Sequence, residues 1–140
     1  MTTPVLDAIL IARQSVDDAL RPLVAAKQND GKAVRLYWQR QSVNLYPCVI
    51  HQSQDRGGQD ASFLAIGGWS GLWAVQTYAM DQATADDWLA AIRDGMDDLA
   101  LPSGYTGYSI QADFEQPLVV PPDESIWQAG AIWRIRITRT

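Results

Sequence analysis

The chain of 140 residues holds one cysteine and one histidine. Cys48 therefore has no partner for an intramolecular disulfide, and with His51 alone no cysteine- or histidine-rich metal site can be assembled. Long apolar runs are missing too. A membrane-spanning helix needs roughly 20 consecutive apolar residues, and the longest candidate, near Ala8 to Ala12, is bracketed by Asp7 and Arg13. Positive charge is short, with 11 Lys and Arg against 16 Asp and Glu and a net charge of −5. A protein that grips nucleic acid needs a concentrated cationic surface, so direct binding is not expected. An acidic wall is nevertheless compatible with a channel through which DNA slides without sticking. The first residues lack the basic, apolar and small-residue order of a secretory signal, so the expectation is a protein made and used in the cytoplasm.

What is present is ordinary for a folded protein, 47% hydrophobic and 19% charged residues, in a length that suits one domain over residues 1–140. Thr3 is a favourable cap, and Pro4 suits the first helical turn. Val5, Ala8, Ile9, Ala12, Val16, Ala19, Leu20, Leu23 and Val24 then form one stripe of a helix that ends before Asp30. Pro22 predicts a kink or a new first turn, and Asp17 and Asp18 fall off the stripe, as solvated residues do. Val34, Leu36 and Trp38 alternate with Arg35, Tyr37 and Gln39, which predicts a strand with one buried face. A second strand follows Pro47, from Cys48 to His51 or slightly beyond, across the hairpin-length connection Gln41 to Leu45.

Asp55 to Asp60, with Gly57 and Gly58, reads as a loop. Ser62 to Ile66 is expected as a strand turned by Gly67 and Gly68 into the apolar strand Leu72 to Tyr78, forming a hairpin. Asp81 or Thr84 then caps a helix whose face is Ala85, Trp88, Leu89, Ile92, Met96 and Leu99. Pro102, Gly104 and Gly107 predict a loop, Tyr108 to Phe114 a strand, and Pro117, Pro121 and Pro122 a stretch without regular pairing. In the last strand Trp133, Ile135 and Ile137 alternate with Arg134, Arg136 and Thr138, so the first three should be buried against a helix. The fold class is α+β, a mixed and mainly antiparallel sheet with two helices packed on it.

Chemistry-bearing residues are few. His51, with Asp55 or a serine, has the makings of a general base, but without a nucleophile motif it reads as a strand residue with a satisfied hydrogen bond. Cys48 lacks a cation to lower its pKa and reads as core. The neighbours in Asp86–Asp87 and in Asp97–Asp98 point about 100° apart on a helix and do not converge on a metal. The first pair sits at the helix end where the dipole favours negative charge, the second at the end where it does not. Arg93, or basic groups of another subunit, would offset the second pair. Gly67, Gly68 and Gly71 have neither phosphate-loop nor dinucleotide spacing and signal turns. Trp69 and Trp73 are able to stack on a ligand, but among six tryptophans an exposed one more often marks a protein interface. Arg134 and Arg136 form a basic ridge, solvent-facing or a subunit contact.

The N-terminal helix, the strand pair with proline opening its second strand, Trp73 to Tyr78 leading into Ala83 to Leu99, and the closing strand Ile132 to Thr138 together resemble the tail-terminator family of long-tailed phages. The similarity covers most of the chain, through the order of elements and diffuse patterns such as Trp73 to Tyr78 followed by Ala83, Ala85 and Leu89. It depends on no catalytic motif. Gly67 to Gly71 and Pro117 to Ser125 are longer here than the family minimum. The resemblance implies a non-enzymatic virion protein without cofactor or metal. As a homo-hexameric ring it would end tail-tube growth and present a surface to the head connector or stopper protein, at the tail-neck junction of a virion assembled in the host cytoplasm. DNA would pass its lumen without specific binding, and no membrane would be involved. Arg134, Arg136, Asp97, Asp98 and Trp69 are the interface candidates. The alternatives are another neck or head-tail joining protein, and a small ligand-binding or enzymatic domain with Trp69, Trp73 and His51 lining a pocket.

Overall fold

The computed structural model describes residues 4–25, 27–29, 31–38, 45–53, 68–97, 99–112 and 125–139. The apolar stripe near the N-terminus produces helix α1, Pro4–Ala25. Ala12, Val16, Leu20 and Val24 are buried at four-residue spacing, with Ser15 buried three residues after Ala12, as one face of a helix requires. The helix runs past Pro22 to Ala25 without starting a new first turn there. Only the last helical residues lie beyond the missing amide hydrogen of Pro22, and Leu23 and Val24 still pack on the core. Two short antiparallel strands, β1 (Gln28–Asn29) and β2 (Lys32–Ala33), turn through Gly31, whose positive φ of 71° favours glycine.

The main sheet contains β3 (Arg35–Trp38), β4 (Cys48–Ser53), β5 (Gly68–Ala79), β6 (Tyr105–Gln111) and β7 (Trp127–Arg139), in the order β3-β4-β5-β7-β6. It is mixed and mainly antiparallel, and both described helices pack on it in an α+β fold. One expected pairing is corrected: β3 and β4 lie parallel, Arg35 opposite Cys48 and Trp38 opposite His51, so the two strands do not form a hairpin. The length of that connection was read, but length alone does not fix the direction in which the chain returns. A cis peptide joins Tyr46 to Pro47 just before β4.

The expected turn around Gly68 and Gly71 is a second correction. Both lie inside β5, which runs 12 residues between β4 and β7. Gly71 is buried opposite Ile135, where pairing with the neighbouring strand outweighs its weak strand propensity. Gly107 is likewise a strand residue in β6, and a Cβ there would collide with the Arg136 carbonyl oxygen. Glycine is needed at that point because two backbones approach closely, not because the chain turns. Thr3, Asp55 to Asp60, Ser62 to Ile66, Gly67, and Pro117 to Pro122 lie outside the described residues.

Helix α2, Gln82–Asp97, buries Ala85, Trp88, Leu89, Ile92 and Met96. Asp81 caps it, its Oδ2 accepting the Thr84 amide at 2.9 Å and its backbone oxygen the Ala85 amide at 3.2 Å. Leu99 falls just beyond the helix and still packs on the core. The Thr77 hydroxyl, 2.9 Å from the Ala85 carbonyl and 3.1 Å from that of Ala129, anchors the first turn of α2 over the sheet.

Both helices cover one face of the sheet, α1 over β3, β4 and β5, and α2 over β5, β7 and β6. Trp73, Val75, Trp133, Ile135 and Ile137 point into the core between them, as expected for the last strand. The opposite face divides in two. Cys48, Ile50, Tyr78 and Ile126 are buried there in a second cluster with Tyr37, Tyr46 and Met80, whereas the β6–β7 end is exposed.

Candidate assembly surfaces and a buried histidine

Residues paired directly across antiparallel strands share a face of the sheet. Arg134 lies opposite Ile110 on β6 and Leu72 on β5, and Arg136 opposite Tyr108 and Ser70. The basic ridge is therefore the middle column of a two-row patch on the face away from the helices. Arg134 and Arg136 are exposed, and Tyr108 and Ile110 are 46% and 60% exposed, unusual values for residues of their size. The Arg134 guanidinium stands 3.5 Å from the Ser70 hydroxyl. One row further along β7, Ile132 and its partner Ala74 are buried, so the patch has a sharp boundary.

Its outer border is β6. Among the described residues β6 has no strand on its far side, and the sequence Tyr105 to Gln111 carries no charge or proline to discourage pairing. The ridge was legible from its alternation in β7. Tyr108 and Ile110 were missed, because their place beside the arginines depends on the β6–β7 register.

Asp97 is exposed at the C-terminal end of α2, on the opposite side of the sheet from the ridge. The structure thus keeps Asp97 away from Arg134 and Arg136 within one chain. Asp98 lies outside the described residues, and of Trp69 only the backbone, opposite Ile137 at the start of β5, is described.

His51 is completely buried on the helix side of β4. Its Nδ1 accepts the indole N–H of Trp73 at 3.1 Å, so the ring proton belongs on Nε2, which donates to Asp17 Oδ1 at 3.2 Å. Asp17 is not simply solvated, a correction to the sequence reading. Its side chain is 20% exposed and also accepts from Arg21 Nε at 3.1 Å and Nη2 at 2.5 Å. Helical wheel position fixed only that Asp17 leaves the main stripe; β4 supplied the partner on its flank. Asp18, by contrast, is exposed and accepts from Gln14.

Burial pushes the His51 pKa down, partly offset by the hydrogen bond and charge of Asp17, with Arg13 and Arg21 lowering it further. Burial acts to raise the Asp17 pKa, but the hydrogen bonds and charges of Arg21 and His51 outweigh it and hold the carboxyl low. The resulting chain, Trp73 to His51 to Asp17 to Arg21, joins α1 to the sheet as a neutral imidazole beside a carboxylate. The Arg13 guanidinium, 3.7 Å above the Trp38 ring, makes a second tie between α1 and the sheet.

Cys48 is fully buried, and burial drives its pKa up to about 12, against a smaller opposing effect of Arg35. A thiol so protonated is a core group. Two surface clefts lie elsewhere. One of about 370 Å³ runs between α1 and β3, lined by Arg21, Val24, Ala25, Val34, Arg35 and neighbouring residues. The other, about 310 Å³, lies between α1 and α2, near Ser15, Asp18 and Asp94. Neither is lined by His51 or Trp73, the residues expected in a ligand pocket. Among the described residues no three His, Cys, Asp or Glu side chains gather as a metal site would require, and no helix is long and apolar enough to cross a membrane.

Neither protein-family models nor curated protein sequences match this chain.

Proposed function

We propose that this protein is a structural component of a phage particle that caps the tail tube as a homo-hexameric ring, ending tube growth and presenting a surface to the head connector. The observation that carries the reading is the position of its charged surfaces. Arg134 and Arg136 are exposed at one end of a sheet face, and Asp97 lies on the helical layer behind it. Unlike surfaces on opposite sides of a subunit suit a head-to-tail contact, in which every copy offers one patch and receives the other. The order of elements that resembles tail terminators agrees with this. The ring has no enzymatic role, takes no cofactor, and lets DNA pass its lumen without specific contacts.

The same surfaces suit a joining ring on the head side of the neck, and location separates the two. Purified protein added to polymerising tail tube protein should shorten the tubes and appear as one ring at the growing end by electron microscopy. Tubes of unchanged length refute the terminator reading. Protein found on the head vertex of particles, and not on the tail, favours the joining ring.

A further inference from the structure

The ridge of Arg134 and Arg136 is half of a mixed apolar and basic patch, and the outer face of α2 has the matching pattern. On α2, Ala83, Asp87, Ala90, Asp94 and Asp97 are all exposed. Their spacing of four, three, four and three residues lines them along one stripe over roughly 20 Å of helix. That stripe lies diametrically opposite the buried face Ala85, Trp88, Leu89, Ile92 and Met96. It alternates small apolar residues with carboxylates. Across the sheet, Ile110, Leu72 and Tyr108 alternate with Arg134 and Arg136.

We propose that the patch of Tyr108, Ile110, Leu72, Arg134 and Arg136 docks the outer face of α2 from a second copy of this chain. Ala90, about 6 Å before Asp94 along the helix, allows it to come close to Tyr108 and Ile110, while Asp94 and Asp97 meet the arginines beside them. The arginines are about 7 Å apart along β7, and Asp94 and Asp97 about 4.5 Å apart along the helix, a mismatch that the long arginine side chains span. The incoming helix covers Tyr108, Ile110, Arg134 and Arg136, all of which are exposed. The occupant is a copy of this chain because the charges are complementary: a protein of net charge −5 places exposed arginines beside two of its exposed large apolar residues, Tyr108 and Ile110, and carboxylates on its outer helix. The contact deepens the ring reading and rests on it for closure. A head-to-tail contact closes into six when each step turns by about 60°, and otherwise grows a filament.

Two variants of the full chain test the pairing. One carries Arg134→Glu with Arg136→Glu, the other Asp94→Arg with Asp97→Arg, and circular dichroism verifies that each is folded. Sedimentation at protein concentrations up to about 1 mM, in about 0.05 M and about 0.5 M salt, measures association. Wild-type protein should associate, more weakly in high salt, and each variant alone should lose at least about tenfold in affinity. An equimolar mixture of the two should recover association, because the acidic patch of the first then meets the basic helix of the second, and the native patch of the second meets the native helix of the first. Ile110→Asp should weaken association without altering the fold. A monomeric wild type at the highest concentration, or folded variants whose mixture stays monomeric, overturns the contact. Assemblies that obey the charge swap but form open filaments, or rings that fail to shorten tail tubes, uphold the contact and overturn the terminator reading.

Discussion

Replacing Asp17 by Ala removes the acceptor of a fully buried N–H. His51 Nε2 then faces α1 without a hydrogen-bond partner, and a buried donor left unmade costs about 1 to 3 kcal/mol. The same substitution also breaks the Asp17–Arg21 pair. That pair has its arginine 62% exposed at i,i+4 spacing, and such pairs contribute only about 0.3 to 0.5 kcal/mol. The two contributions separate by comparison: Arg21→Ala should cost no more than about 0.5 kcal/mol and Asp17→Ala several times as much. Urea denaturation followed by circular dichroism at neutral pH measures both. Equal losses in the two variants would refute the buried link.

Acid adds an independent check. The folded pKa of His51 lies below its unfolded value, so the unfolded chain binds the extra proton first. Stability is then full above the unfolded histidine pKa of about 6.5 and falls below it, by at most about 1.4 kcal/mol per pH unit, until the folded pKa is reached. Asp17, also held low, contributes stability above its unfolded value that is lost as pH falls through its folded pKa, a separate and more acidic step. His51→Gln should abolish the first loss and leave the second. A wild-type stability that stays flat from neutrality to the carboxylate range would show that His51 is not held neutral.

Ile135→Ala should cost about 2 to 5 kcal/mol, because Ile135 is fully buried beneath the helices; an unchanged melting midpoint would disprove the face assignment. Gly107→Ala should destabilise by at least about 1 kcal/mol, since its methyl would overlap the Arg136 carbonyl oxygen, and thermal melting measures the loss. Cys48 should resist a thiol reagent at mildly alkaline pH in the folded protein and react at once in denaturant, which absorbance of the released thiolate follows. A chelator should leave the melting midpoint unchanged, and a marked shift on adding zinc, calcium or magnesium at low concentration would reveal a metal site.

The local pattern of the chain determined its two long helices and the buried faces of those helices and of β7. Spacing of three and four fixed the core side of α1 and α2, alternation fixed that Ile135 points inward and Arg134 outward, and the Asp81 cap was visible beside the apolar face it precedes. These are properties of one segment, set by helical and strand periodicity. Relations between segments were decided by the tertiary structure. Whether β3 and β4 run parallel, and whether Gly71 and Gly107 turn the chain or let strands meet, depends on partners distant in sequence. The same holds for the site: Arg134 and Arg136 could be singled out from β7, but only strand register set Tyr108, Ile110 and Leu72 around them, and only the docking of α1 brought Asp17 to His51. Register is fixed by the burial of whole faces, a collective quantity that no short window of sequence contains.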